Sequence, residues 1–160
     1  MAMRAKHFLL LSIAAITLLP ACVGHRMHQA DVAYDLMQYQ RAQAAYDRVL
    51  KRTIDRNALI HCADACRRQN EMEAAVLRYH QADSIAPLAG EDAFRYGQAL
   101  MVTGRKEKAE GYFFKVLQER PEDAPSMDLY ASCKAYATFL KDSDAFVVNR
   151  LNLSGLKKIG

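Results

Sequence analysis

The residues of this sequence best suited to chemistry lie in the segment HCADAC, at positions 61–66. Cys62 and Cys66 are four residues apart, so on a helix both thiols would lie on one face, with His61 beside them. A structural zinc site needs four tetrahedral ligands and usually uses more closely spaced cysteines. A buried free cysteine otherwise packs as a small apolar residue. We therefore predict that Cys62, Cys66 and Cys133 pack in a core, and that the protein holds no metal and no other cofactor.

The sequence shows no grouping of side chains typical of an active site. It has no recognisable Ser/His/Asp set, no motif of paired carboxylates and no glycine-rich phosphate loop. The 22 basic and 18 acidic residues are mixed along the chain, with no basic block to follow a phosphate backbone. We predict a protein that is not an enzyme and does not bind nucleic acid.

A fourth cysteine, Cys22, follows an apolar run near the N-terminus. Arg4 and Lys6 precede the uncharged segment Phe8–Leu19. A helix of this length spans roughly 18 Å, too short for a bilayer core of about 30 Å. A basic start followed by a short apolar segment and a small residue is typical of a secretory signal peptide.

The end of this segment, Leu19-Pro20-Ala21-Cys22, resembles a bacterial lipobox. The resemblance implies that residues 1–21 are a signal peptide, that Cys22 is lipidated with palmitate-type chains, and that 22–25 form a tether. Val23 stands where lipoproteins kept in the inner membrane carry Asp, so the resemblance favours the outer membrane, with the protein facing the periplasm. An ordinary signal peptide with an incidental cysteine, or a buried N-terminal helix, are the alternatives.

A repeat appears when the chain is compared with itself. Three stretches share an alanine, an aromatic residue four positions later and a small or branched residue three positions after that. Successive copies are 33 and 34 residues apart, a period that indicates a solenoid of helical pairs. Alanine and the aromatic residue would lie on one helix face, where alanine lets a second helix approach closely. The three sets are Ala42–Tyr46–Val49, Ala75–Tyr79–Ala82 and Ala109–Phe113–Val116.

This pattern resembles the tetratricopeptide (TPR) repeat, a helix–turn–helix unit of 34 residues. Pro87 and Pro121 stand where that family ends its second helix, and Gly104 falls in the turn between helices. We predict an all-α TPR solenoid over 26–141, with about three helix pairs and a capping helix. An irregular helical bundle is the alternative. The repeats lie near 23–55, 56–89 and 90–123 and the cap at 125–140, with helices near 26–37, 40–52, 56–69, 72–85, 91–103, 106–119 and 125–140.

The C-terminal residues differ from the rest. In AFVVNRLNL, at 145–153, side chains alternate as in a strand. We therefore predict that 142–160 form an extended tail or linker.

The order of lipobox, TPR pairs and SCKAYATFLKDSDAFVVNRLNLSG resembles the N-terminal part of Bacteroidetes outer-membrane lipoproteins in which a β-propeller and an OmpA-like domain follow. The best-known member belongs to the type IX secretion system. The resemblance implies a scaffold or adaptor in the assembly of such a secretion machine. The alternatives are a truncated cell-wall-binding structural lipoprotein and a TPR lipoprotein of outer-membrane protein assembly. The sequence to Gly160 carries no OmpA-like domain. Peptidoglycan is therefore an expected partner only if a missing C-terminal domain exists. The sequence fits both a fragment of such a longer protein and a naturally short relative.

The first helix of each pair would line the binding surface of such a solenoid, which we call the groove. We predict that the groove binds a protein partner; a solvated face, or one covered by 145–160, is the alternative. Members of the TPR family that clamp a C-terminal carboxylate use Lys and Asn at positions held here by residues such as Asp64 and Phe94, so that mode is not expected. The outward positions expected in the groove are Asp31, Tyr34, Asp35, Asn57, Ile60, Asp64, Arg67, Arg68, Phe94, Gln98 and Met101.

Overall fold

The computed structural model describes residues 24–141, which contain seven α-helices and no β-strand. The predicted all-α solenoid is confirmed, and from the end of the first helix onward every helix bound lies within two residues of its predicted position. The proposed signal peptide, Cys22 and the tail after residue 141 lie outside the described residues. The helices are α1 (24–35), α2 (Tyr39–Leu50), α3 (Arg56–Arg68), α4 (Met72–Ile85), α5 (Gly90–Val102), α6 (Lys106–Glu119) and α7 (Ala124–Lys141).

The repeated sets of small and aromatic residues form the centre of the core. All nine side chains are at most 2% exposed, and each set lies on the second helix of its pair. The first helices supply small residues opposite them, among them Ala58, Ala93 and Gly97. In the third pair, a Cβ added at Gly97 would lie only 2.7 Å from the ring of Phe113, so glycine there permits close contact of the two helices.

A residue in the left-handed conformation closes the turn inside each pair. Met37, Asn70 and Gly104 have φ values of 57°, 63° and 79°. In each turn the next backbone N–H bonds a carbonyl five residues earlier, for example from Arg105 to Leu100 at 2.8 Å. This hydrogen bond is typical of a helix C-terminus that ends in the left-handed conformation. The same turn thus recurs with three different residues, and only the third is glycine.

Prolines end the second helices, as predicted. Ala86 is extended immediately before Pro87, and Arg120 leaves helical geometry before Pro121. A residue that precedes proline is sterically biased away from the helical region, which explains both endings.

The helices pack in chain order, each against its neighbours from α2 to α7, and α3 also contacts α5. The first helices of successive pairs therefore lie side by side, which is the arrangement that forms the groove. None of the helices within 24–141 is long and apolar enough to cross a bilayer.

Candidate protein-binding groove

A buried carboxylate lies at the centre of the groove. Asp64 on α3 is only 2% exposed. The hydroxyl of Tyr34 on α1 donates to its Oδ2, and Arg67 donates to its Oδ1 from Nε at 2.8 Å and Nη2 at 2.6 Å. Burying a charged group is unfavourable unless it is paired and hydrogen-bonded, and these contacts supply both conditions.

Two further guanidinium groups lie close to the same carboxylate. Nε of Arg68 is 3.5 Å from Oδ2, and Nη1 of Arg95 on α5 is 3.7 Å away. These distances are too long for strong hydrogen bonds, so both groups keep N–H donors for other acceptors. Arg95 also bonds Glu91 at 3.0 Å, and Arg68 lies 6.0 Å from the ring centre of Tyr39. Side chains from α1, α3 and α5 thus meet at Asp64, with three cations around it.

The ionisation of this cluster follows from its contacts. Burial alone would raise the pKa of Asp64, but hydrogen bonds from Tyr34 and Arg67 and the nearby guanidinium charges lower it overall. Burial, together with the hydrogen bond to Asp64, raises the pKa of Tyr34 to about 12. At neutral pH Asp64 is therefore an anion and Tyr34 a neutral donor.

Asp31 belongs to a second, smaller cluster. The hydroxyl of Tyr46 donates to its Oδ1 at 2.8 Å, and Nδ1 of His61 lies 3.4 Å from the same oxygen. The rings of His61 and Tyr34 stack at 5.9 Å, which links this cluster to the one around Asp64.

The other predicted groove residues lie outside these two clusters. Phe94, Gln98 and Met101 are half-buried on α5, where the ring of Phe94 meets that of Phe113 edge-on at 5.9 Å. Asp35 and Asn57 are exposed.

Ile60 and Asp64 do not have the outward position expected of them. Ile60 is 6% exposed and belongs to the hydrophobic core, and Asp64 is buried as described. Tyr34 of α1 and Arg95 of α5 contact Asp64 from the two sides of α3, which explains its burial. Neither Ile60 nor Asp64 therefore presents the exposed side chain that was expected of it.

Arg95 and Tyr39 are contact residues that the sequence analysis did not identify. Arg95 precedes Gln98 by three positions and so lies on the same helix face, which is the signal that could have identified it. Tyr39 opens a second helix, and nothing in the repeat pattern indicates that it reaches Arg68.

The cysteines considered as metal ligands lie in the core. Cys62, Cys66 and Cys133 are buried free thiols, as the packing prediction expected. The hydrogen bond to Cys66, with burial, raises the pKa of Cys62, which keeps it a thiol at neutral pH. Within 24–141 no group of three or more His, Cys, Asp or Glu side chains is placed to hold a metal ion.

No family model matches the chain, and no curated protein matches it. Several solved structures are similar to it. The first TPR of Spaghetti (RPAP3), bound to the HSP90 peptide SRMEEVD, is 14% identical with a TM-score of 0.63, over 72% of this chain and 93% of that one. The Sgt2 TPR domain of Aspergillus fumigatus is 13% identical with a TM-score of 0.60, over 86% and 93%. The Yersinia enterocolitica type III secretion chaperone SycD, in complex with a peptide of the translocator YopD, is 12% identical with a TM-score of 0.54, over 76% and 93%.

At these identities the likeness concerns the fold. It agrees with the repeat in the sequence and with the recurring turns and core sets in the structure. The described part of the chain is a TPR-type α-solenoid.

Proposed function

We propose that the protein is a non-enzymatic adaptor whose groove binds a segment of a protein partner. The observation that carries this proposal is the cluster at Asp64, where three arginines surround one carboxylate and Glu91 is the only other acid paired to them in the described residues. Arg68 and Arg95 retain donors that can bind a carboxylate. Two of the similar TPR structures hold peptides, which supports the same use of this fold.

The groove also defines the kind of segment that it fits. Phe94 and Met101 are half-buried apolar side chains on α5, the helix that carries Arg95. A partner segment with an acidic residue next to an apolar one would satisfy both surfaces.

We propose the cellular location of the protein from its sequence. A lipid on Cys22 would tether the solenoid to the periplasmic side of an outer membrane, where it would serve the assembly of a secretion machine of the type IX kind. This part rests on the lipobox and on the resemblance of the C-terminal residues. Radioactive palmitate should label the protein in its own cells, and Cys22→Ala should abolish the labelling. Equal labelling of both proteins would contradict the anchor and leave the groove proposal intact.

Site-specific crosslinking tests the groove. A photoreactive amino acid at Gln98 should give an adduct with a discrete partner. The same group at Leu77, which is 54% exposed on the second helix α4, serves as the matched control. Arg68→Gln should weaken the adduct at Gln98, because it removes one of the donors. Equal adducts at both positions, or an adduct unaffected by Arg68→Gln, would contradict the proposal.

A further inference from the structure

A second charged surface lies away from the groove, between the start of α1 and the end of α2. A cleft of about 450 Å³ opens there, and its lining contains no acidic residue. We call it the basic cleft; its lining residues are Arg26, Gln29, Ala45, Arg48, Lys51 and Arg52.

The four cations of the basic cleft are not neutralised within the described residues. None of them takes part in an ion pair there. The nearest acids along α2 and its following loop are engaged elsewhere. Asp47 pairs with Arg78 at 2.7 Å, and Asp55 accepts the backbone N–H of Ala58 at 2.7 Å.

The dipole of helix α2 accounts for only one of these four cations. The C-terminus of a helix carries about half a negative elementary charge, which one cation in the last turn satisfies. Arg48, Lys51 and Arg52 are all exposed at the end of α2, and Arg26 faces them from α1. The cleft therefore has an excess of positive charge that points to an anionic partner.

An exposed apolar residue in the loop after α2 indicates which class of anionic partner is meant. Ile54, two positions after Arg52 in the loop that follows α2, is 84% exposed and lines a different cleft, with Leu50 and Leu59. Basic side chains beside an exposed aliphatic one suit a membrane surface, where the charges meet anionic headgroups and the apolar group enters the interface. Arg26 is also only four residues after Cys22, the proposed lipidation site.

We propose that the basic cleft docks against the anionic surface of a lipid bilayer. It would give the protein a second membrane contact and fix which end of the solenoid faces the membrane. The proposal does not need the lipid on Cys22, and it can fail while the adaptor function stands.

Vesicle binding tests it with the full chain carrying Cys22→Ala, so that no lipid is attached. Binding is compared between vesicles of phosphatidylcholine alone and vesicles containing phosphatidylglycerol, at constant salt. Residues 1–23 are present in every protein, so their own contribution is the same throughout. The test variant carries Arg48→Gln, Lys51→Gln and Arg52→Gln. The control carries Lys108→Gln, Lys134→Gln and Lys141→Gln, exposed residues of α6 and α7 with the same total charge change.

The preference for anionic vesicles should fall strongly in the test variant and little in the control. A basic residue near an anionic surface contributes about fivefold, so three together set an upper value of roughly 100-fold. An equal loss of this preference in both variants would mean that it depends only on net charge, which would overturn the proposal. No loss in either variant would also overturn it. Competition by millimolar inorganic phosphate would indicate a phosphate site, and tighter binding to a DNA duplex would indicate a nucleic acid site; either result would also overturn it.

Discussion

Tyr46, Tyr79 and Phe113 occupy the same position in successive repeats, but their hydroxyl groups differ in a way that affects stability. The hydroxyl of Tyr46 donates to Asp31, whereas that of Tyr79 is buried and has no hydrogen-bond partner within the described residues. Phe113 has no hydroxyl at all. A buried donor without a partner is unfavourable, because it has lost its bonds to water.

Tyr79→Phe should therefore stabilise the fold by about 1 kcal/mol, since it removes the unpartnered group and leaves the packing unchanged. Tyr46→Phe is the matched control and should destabilise the fold by about 1 to 2 kcal/mol, because it breaks a hydrogen bond to a carboxylate. Urea unfolding followed by circular dichroism measures both. A destabilising Tyr79→Phe would mean that its hydroxyl has a partner after all.

Asp64 should make stability depend on pH. Its folded pKa is lowered, so its ionised form stabilises the fold above the ordinary carboxyl pKa of about 4, and this contribution disappears as the pH falls through the folded value. Asp64→Asn should cost about 2 to 3 kcal/mol at pH 7, less than the roughly 3 to 5 kcal/mol of a fully buried pair because the arginines are partly exposed.

The difference between wild type and Asp64→Asn should therefore shrink as the pH falls below about 4. Urea unfolding over a pH series measures it. The exposed residue Asp35 provides the control, and Asp35→Asn should change stability by less than about 0.5 kcal/mol. A difference for Asp64→Asn that stays constant down to pH 2 would refute the ionic role.

At the scale of the helix, the approach of α5 to α6 depends on one missing side chain. A Cβ added at Gly97 would lie 2.7 Å from Cε1 of Phe113, whose ring is fully buried. Gly111 on α6 is also within a helix, but an added Cβ there meets nothing within 4 Å.

Gly97→Ala should accordingly destabilise the fold by up to about 2 kcal/mol, because overpacking of roughly 1 to 3 kcal/mol exceeds the gain in helix propensity of about 1 kcal/mol. Gly111→Ala should stabilise it by about 0.5 to 1 kcal/mol. Thermal unfolding of the two variants separates the effects. If both variants were stabilised, the contact between Gly97 and Phe113 would not be limiting.

The helices could be predicted from the sequence because their signals are local. The spacing of Ala75 and Tyr79 defines a face, and Pro87 ends the same helix, without reference to the rest of the molecule. The turns were harder to predict from the sequence. Gly104 indicates a left-handed residue, but Met37 adopts the same conformation although its side chain does not favour it. The type of residue therefore does not identify this turn.

For the whole molecule, the fold was predictable and the centre of the site was not. The repeat assigns Asp64 to the groove, but its burial depends on how α1 and α5 cover α3. The role of Arg95 depends on the reach of a long side chain between repeats, 31 positions from Asp64 in sequence. Such contacts follow from the stacking of helical pairs, which a pattern within one helix does not contain.

We expect that stacking to give Asp64 a mechanical role, because it is contacted from both neighbouring first helices. The pairs of a solenoid can tilt slightly against one another, and the tilts add along the stack. A single carboxylate contacted from α1 on one side and from α5 on the other restrains this tilt at its midpoint. A partner that draws Arg95 away from Asp64 would loosen the restraint between α3 and α5, and the groove would widen around its occupant.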